Sequence, residues 1–350
     1  MKKCRLGLVF GGRSAEHAVS LLSAQAVYEN LDRERYDPFL IYINRAGEWC
    51  LPRNESFSES ELSRETFATF LPWGTRLPAA VDADIYFPVL HGPNGEDGRI
   101  QGLFEMAGKA FVGADSLSSQ LAMDKVTAKM LFAQAGLEQV PFLYFSEHNP
   151  EQILQLVEKK LGFPVFVKPS ALGSSVGIGK AVDGAGLLAA AGVAFSYDGK
   201  IVVEKAVAMR EIEVSVMGND EIMVSRPGEL LPSNEFYDYA DKYIKGETQF
   251  RIPVELGEAL EARVKKTAHK AYRSLFLNGF ARVDLFLEKG SDRVLVNEIN
   301  TIPGFTAISM FPKLWQAQGI EFSRLLDRLI AYGFDRFGKR KDNVDEGLGD

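Results

Sequence analysis

The sequence has 350 residues, 46% of them hydrophobic, 25% charged and 11% aromatic. At roughly 2.3 usual domain lengths it exceeds one small module, and it lacks the low hydrophobicity of a disordered chain. Forty basic against 47 acidic side chains give a net charge of −7, which disfavours a generic binder of nucleic acid or acidic membrane.

From the N-terminus, only five apolar or small residues, Leu6 to Phe10, precede Gly11-Gly12, too short a run for a signal-peptide core. No uncharged run approaches membrane-spanning length, so a cytoplasmic protein is expected. Leu6–Phe10 reads as a first strand. Ser14 is expected to cap a helix whose apolar positions Ala18, Leu21, Leu22 and Ala26 recur at helical spacing up to Leu31. Pro38–Ile43 and Asp84–Leu90 read as further strands, giving an N-terminal α/β unit. Cys4 and Cys50, with four scattered histidines, are too few for a disulfide framework and argue against zinc. Residues 52–80 read as a peripheral insertion, and the loop His91 to Gly98 follows the third strand. A helix opens at Asp124 and ends near Gly136. Strands Pro164–Lys168 and Val176–Val182 flank a glycine-rich lid. A third unit is expected to begin with strand Ile201–Lys205 and to continue through Glu211–Met217 and an aromatic, polar loop, Ser225 to Phe250. Helix 255–276, a hairpin over 280–300 and a frayed charged tail after Phe337 complete the chain. Residues 122–203 carry seven basic and seven acidic side chains, whereas the flanking segments are acidic.

Three motifs bear on chemistry. Gly173 to Lys180 is one residue too long for a Walker A loop, and Val182 stands where a dinucleotide fingerprint needs its last glycine. What remains is either an ordinary flexible hairpin or a loop that lays backbone N–H groups over a polyanion. Lys168 shares a strand face with Phe166 and Pro164, aimed at whatever the lid covers. Lys125 opens a helix, where the dipole disfavours a cation unless an anion compensates. Singly, each lysine reads as a surface charge; together beside the lid, they favour phosphate binding.

The hairpin Ala281-Arg282-Val283-Asp284 with Val296-Asn297-Glu298-Ile299-Asn300 is more specific. If its connecting loop has an odd residue count, Asp284 faces Glu298 and Arg282 faces Asn300; an even loop separates the two sets onto opposite faces. Opposed carboxylates repel unless a cation lies between them, and oxygen-only ligands point to Mg²⁺ shared with phosphates. The alternative is a solvent-facing polar stripe. Pro303-Gly304 favours a type II turn, in which Gly304 can direct its N–H toward a substrate oxygen; as a lone dipeptide it reads simply as a turn.

Taken together, Gly11 to His17, the loop from His91 to Gly102, Met123-Asp124-Lys125, Lys168-Pro169 with Gly173 to Gly177, Phe236 to Tyr239 with Lys242-Tyr243, Arg282-Val283-Asp284, and Asn297 to Thr301 with Pro303-Gly304 resemble the D-alanine–D-alanine ligase family of ATP-grasp enzymes. The resemblance runs from about residue 5 to 335, in the family's motif order. It implies a mixed α/β, three-domain ATP-grasp architecture: a parallel-sheet N-terminal substrate domain (1–121), a central domain with the lid (122–203) and a C-terminal domain with the metal-binding hairpin (204–350). It also implies a homodimer that takes ATP and D-alanine and two Mg²⁺ ions, with Mn²⁺ as a substitute. ATP would phosphorylate one D-alanine carboxylate, and the second D-alanine's amine would displace the phosphate.

By the same resemblance, Glu16 holds the first D-alanine's ammonium and joins Ser174 and Tyr243 in orienting the site, with His91 on the substrate side. Lys125, Lys168, Ser175 and Lys242 contact ATP, and Glu204, Val207 and Glu211 line its adenosine side. Asp284, Glu298 and Asn300 bind the metal ions; Arg282 and the Gly304 N–H stabilise the oxyanion; Ser309 and Met310 grip the second D-alanine. Ala171-Leu172 depart from the polar residues often found before the lid. Close alternatives are ligases joining D-alanine to D-serine or D-lactate, the latter disfavoured by Tyr243. The others are a different ATP-grasp carboxylate–amine ligase and a non-catalytic nucleotide-binding protein.

Overall fold

The structure is a computed structural model that describes residues 2–70, 81–174, 176–231, 249–306 and 308–347, with the backbone alone for 63–70 and 340–347. The first unit comprises β1 (Cys4–Gly11), α1 (His17–Asn30), β2 (Tyr36–Ile43), β3 (Trp49–Pro52), α2 (Glu59–Glu65), β4 (Thr66–Phe70), β5 (Ile85–Val89) and α3 (Arg99–Met106). Its sheet has the order β4-β3-β2-β1-β5. The β1–β2 and β1–β5 pairs are parallel, so the expected parallel sheet is present, and the 48–70 segment extends it with two antiparallel strands. Leu6, Leu8 and Phe10 enter one core and Val9 another. Burial on both faces explains why β1 is an unbroken apolar run.

Of the apolar positions Ala18, Leu21, Leu22 and Ala26 in α1, only Leu21 is buried. Ala18 is exposed, Leu22 is 59% exposed, and Leu21, Ala24, Val27 and Tyr28 point inward together with the polar His17, Ser20 and Ser23. Those three polar side chains bond the ends of neighbouring strands and loops, so apolar spacing alone misjudges the face. Ser14 is not the cap either. Glu16 occupies that position, and Ser14 Oγ accepts the Glu16 N–H at 3.0 Å.

The chain continues through α4 (Ser116–Met123), α5 (Lys125–Gln134), β6 (Phe142–Phe145), α6 (Pro150–Lys160), β7 (Val165–Pro169), β8 (Gly179–Ala181), α7 (Gly184–Tyr197) and β9 (Ile201–Lys205). Asp124 caps α5, accepting the Thr127 N–H at 2.9 Å, and Gly136 (φ 65°) follows its end. β8 is shorter than expected because the chain turns at Ser174 (φ 51°) and Gly177 (φ 72°) before pairing resumes. The second sheet is antiparallel, β6-β9-β7-β8. β9 is an interior strand of this sheet, so the junction expected at 203 and the start of the third unit expected at Ile201 both fall inside it. The chain changes sheet only after Lys205. Val165 and Val167 pack on α6 and α7, leaving Phe166 and Lys168 on the opposite face.

β10 (Met209–Met217), β11 (Met223–Val224), β12 (Gly228–Leu231), β13 (Gln249–Arg251), α8 (Glu258–Ser274), β14 (Phe280–Glu288), β15 (Val294–Asn300), α9 (Met310–Gln316) and α10 (Phe322–Gly347) complete the order. The ends of the expected 225–250 loop are therefore strands, and the expected frayed tail is helix to Gly347. Lys339 bridges Asp220 and Asp335 there, the latter one helical turn away. The third sheet runs β13-β12-β10-β14-β15, with β11 on β10. Val283 and Leu285 pack with Val264, Ala268 and Tyr272 of α8.

Packing crosses the unit boundaries. Ala122, Ala128 and Phe132 of α4 and α5 join the third sheet's core. Phe280, Phe305, Phe311, Trp315 and, from α10, Leu325, Leu326, Leu329 and Ile330 join Leu6 and Phe87 in the N-terminal core. No helix among the described residues is long and apolar enough to cross a membrane.

Candidate active site

The polar faces of the second and third sheets and the strand-end loops of the first enclose a cavity of about 1090 Å³. On the third sheet, cross-strand register decides what meets. Asp284 pairs with Glu298 and Arg282 with Asn300, as an odd loop was expected to give. The loop between Leu287 and Val294 in fact has six residues. A register shift between Asp284 and Leu285, with Leu285 opposite Val296, leaves Asn297 as the extra residue. This bulge compensates for the even loop; without it Asp284 would face Asn297, and Ile299 would lie opposite Arg282.

Arg282 grips Asp284 through two bonds, Nε to Oδ1 and Nη2 to Oδ2, both 2.7 Å, and Glu213 Oε2 lies 3.2 Å from Nε. Glu213 is opposite Asp284 on β10 and only 8% exposed. The sequence analysis missed it, although the alternation Glu211-Ile212-Glu213 signals two carboxylates on one strand face. Asn300 Oδ1 accepts the Ile302 N–H at 2.9 Å. The face is thus strongly anionic, with Arg282 as an internal cation.

The donor set fits a hard divalent cation: two carboxylates in register and an amide oxygen, without nitrogen or sulfur ligands. Among the described residues no three His, Cys, Asp or Glu side chains converge as a metal cage. A cation here would complete its coordination with ligand oxygens and water.

Across the cavity, Lys125 Nζ donates to the Leu172 carbonyl at 2.7 Å and lies 3.4 Å from Glu298 Oε2. That bond uses the backbone of Leu172, so its apolar side chain is compatible with the lid position. Lys168 Nζ lies 2.6 Å from Glu204 Oε2, while Glu204 Oε1 faces Lys129 Nζ at 2.8 Å. Both Glu204 oxygens therefore face lysines. Burial opposes ionisation of Glu204, but the two ammonium groups outweigh it and hold the carboxyl far below its ordinary value. Val207, in the link between β9 and β10, and Glu211 also line the cavity. Ser175, Lys242 and Tyr243, with the Phe236–Tyr243 motif, lie outside the described residues.

At the N-terminal wall, Glu16 is 7% exposed and lines the cavity with Glu96, Gly173 and Ser174. Gly92 (φ 76°) passes so close that a Cβ there would sit 2.9 Å from Glu16 Oε2. Glu96, also missed by the sequence reading, is buried; desolvation raises its pKa although His91 opposes the shift.

His91 offers neither ring nitrogen to the cavity. Its Nδ1 lies 2.9 Å from the Ile302 carbonyl, which fixes that nitrogen as a donor, and Nε2 lies 3.0 Å from Ser23 Oγ. Ser23 Oγ accepts the Phe305 N–H at 3.2 Å. Burial lowers the His91 pKa, but Glu96, 3.6 Å away, and the Ile302 carbonyl carry it above the ordinary value. His91 thus holds the backbone on both sides of Gly304.

The expected type II turn is absent there, since Gly304 does not adopt the positive φ such a turn requires. Its glycine is needed for proximity: a Cβ would lie 2.6 Å from Ser309 Oγ. Ser309 shares its hydroxyl with Thr306 Oγ1 at 2.7 Å, and Met310 is buried, its Sδ crowding Gly228. Both still line the cavity.

Comparison with known proteins agrees with this geometry. Residues 5–114 match the D-ala D-ala ligase N-terminus family model and residues 131–331 the corresponding C-terminus model. The chain belongs to the D-alanine–D-alanine ligase family. A D-alanine–D-alanine ligase from Heliobacterium modesticaldum is 45% identical, with 99% of each chain covered. One from Bacillus licheniformis is 44% identical over 97% of this chain and 98% of its own length. Among solved structures, the Coxiella burnetii D-alanine-D-alanine ligase superposes with a TM-score of 0.86 at 31% identity, covering 99% of this chain and 98% of that one. The VanG D-Ala:D-Ser ligase from Enterococcus faecalis gives 0.86 at 36%, covering 95% and 100%. The mixed α/β architecture is therefore that of the ATP-grasp ligases, as the sequence motifs implied.

Proposed function

We propose that this ligase joins two D-alanine molecules, using ATP, through an acyl phosphate. The observation that carries the reading is that one cavity is lined together by Lys125 and Lys168, by the oxygen donors Asp284, Glu298 and Asn300, and by Arg282, Gly304 and Glu16.

Lys125 and Lys168, with Lys242 and the lid residues Ser174 and Ser175, hold the phosphates of ATP, and Glu204, Val207 and Glu211 line its adenosine side. Glu16 binds the first D-alanine's ammonium and works with Ser174 and Tyr243 to orient it. A carboxylate oxygen of that D-alanine attacks the γ-phosphorus, the bridging β–γ P–O bond breaks, and ADP leaves. The second D-alanine, its carboxylate held at Ser309 and Met310, loses a proton from its ammonium and attacks the acyl carbon. The C–N bond forms, the C–O bond to phosphate breaks, and the new amide nitrogen sheds its extra proton. Arg282 and the Gly304 N–H stabilise the oxyanion formed on the way; one such donor is typically worth about 3 kcal/mol. His91 acts from behind, fixing the backbone that carries that N–H. Asp284, Glu298 and Asn300 would hold two Mg²⁺ ions, or Mn²⁺ with the same oxygen donors, supplying positive charge against the phosphates when bound. We take the protein as a cytoplasmic homodimer of three units, divided near 121 and after Lys205.

The test is ADP release with ATP, Mg²⁺ and D-alanine, set beside L-alanine, D-serine and D-lactate. D-alanine-dependent release, with D-Ala-D-Ala as the product, is expected. Its absence overturns the reading, and faster turnover when D-serine is the acceptor reassigns the second substrate.

A further inference from the structure

Lys129 takes no part in the chemistry above, yet it is 1% exposed and carries a charge into the protein interior. It lies one turn after Lys125 on α5, the i,i+4 position of the same helix face. Its ammonium has Glu204 Oε1 at 2.8 Å and the face of Phe142, a neighbour of Glu204 across the β6–β9 pair, at 5.2 Å. Glu204 Oε2 meets Lys168 at 2.6 Å. The three side chains form a line from the interior to the cavity, with side-chain exposure of 1% at Lys129, 4% at Glu204 and 13% at Lys168.

A buried ion pair is seldom retained for stability alone, since apolar side chains of similar volume often serve as well. Here the arrangement of charge is informative. Lys168 and Glu204 by themselves would be a neutral pair, and a lysine drawn to a phosphate would strand a desolvated carboxylate. With Lys129 behind it, Glu204 keeps a partner when Lys168 turns away, and the trio retains one net positive charge.

Resting on the reading that the cavity takes ATP, we infer that Lys129 is a positioning residue that holds Glu204 from behind and thereby frees Lys168 to bind the nucleotide's phosphates. The two lysines respond oppositely to their surroundings. Burial pushes the Lys129 ammonium below the ordinary lysine value despite Glu204, whereas at Lys168 the glutamates Glu204 and Glu298 outweigh burial and raise it. The cation nearer the ligand is the one kept firmly charged.

The decisive measurement is equilibrium binding of ATP with Mg²⁺, together with KM for ATP and for D-alanine, in wild type, Lys129→Met, Lys129→Arg and the double variant K129M/E204Q. Lys129→Met is expected to weaken ATP binding by about tenfold or more while KM for D-alanine stays within about twofold, and Lys129→Arg to retain affinity. The double variant should bind ATP more tightly than Lys129→Met, because no carboxylate remains to detain Lys168. Unchanged ATP affinity in Lys129→Met overturns the proposal, and so does a double variant as weak as the single one, which would make Lys129 a packing element. If Lys129→Met fails to fold, Lys129→Gln, which keeps a hydrogen-bond donor facing Glu204 but no charge, takes its place in the same comparison, and unchanged ATP affinity there overturns the proposal. Failure of the wild type itself to bind ATP would instead overturn the functional reading.

Discussion

At His91 a residue that reads as a substrate contact is a backbone clamp. Its two nitrogens bind Ile302 O and Ser23 Oγ, and through Ser23 it reaches the Phe305 N–H. We predict that His91→Ala lowers kcat by about 10²- to 10³-fold, the usual loss when an oxyanion donor is misplaced. KM for D-alanine should change little; a rise in that KM with kcat preserved would show direct substrate contact instead. Arg282, Asp284, Glu298 and Asn300 were readable from sequence because alternation along a strand exposes the face a side chain takes. Lys129 was not, since a lysine one turn after another on a helix reads as a solvated surface until the packing of β6 and β9 over it is known. Ser23 was hidden for the same reason, since its partner His91 is 68 residues away; the carboxyl of Glu96 meets His91 only five residues away, and its burial is what the sequence did not show.

The elements that carry these residues are positioned by short polar connections. Asp124 caps α5, accepts Ser170 Oγ at 3.0 Å and pairs with Lys200, so one carboxylate joins the helix bearing Lys125 and Lys129 to the end of the strand bearing Lys168. Lys200 and Thr127 hold its pKa below the ordinary value against the opposing effect of burial. Asp124→Ala is expected to destabilise the protein by about 2 kcal/mol, the upper end of the helix-cap range. Denaturant titration checks this, and a midpoint equal to wild type would show that the cap is redundant. The longer apolar strands β1, β2, β5, β9, β10, β14 and β15 were readable at this scale, whereas β3, β4, β6, β11, β12 and β13 were not; register was not readable either. The six-residue hairpin loop alone would take Asp284 out of register with Glu298, and the bulge at Asn297 restores the pairing. No spacing rule announces a bulge, which depends on how the whole strand fits its neighbour.

For the whole molecule, the same buried charges that serve the site make stability depend on pH. Glu204 has a folded-state pKa below its ordinary 4.5, so it contributes stability that is present above that value and lost as pH falls through the depressed folded value. Lys129 and Lys168 are protonated in folded and unfolded states throughout that acid range and add no slope of their own. Between about pH 4.5 and pH 2 wild type should therefore lose more stability than Glu204→Gln, as measured by denaturant midpoints across that range. Parallel losses would show that Glu204 is not ionised by its lysines. Three units were readable, although β9 was expected in the third and lies inside the second sheet; their shared cores were not, because Phe305, Phe311 and α10 reach the N-terminal core from the far end of the chain. Protein synthesis runs in the opposite sense to that dependence. The strands of the first sheet leave the ribosome first, yet the face holding Leu6, Ile85 and Phe87 waits for Leu325 to Ile330 to cover it. One face of the first sheet is thus sealed from water by the chain's last described helix.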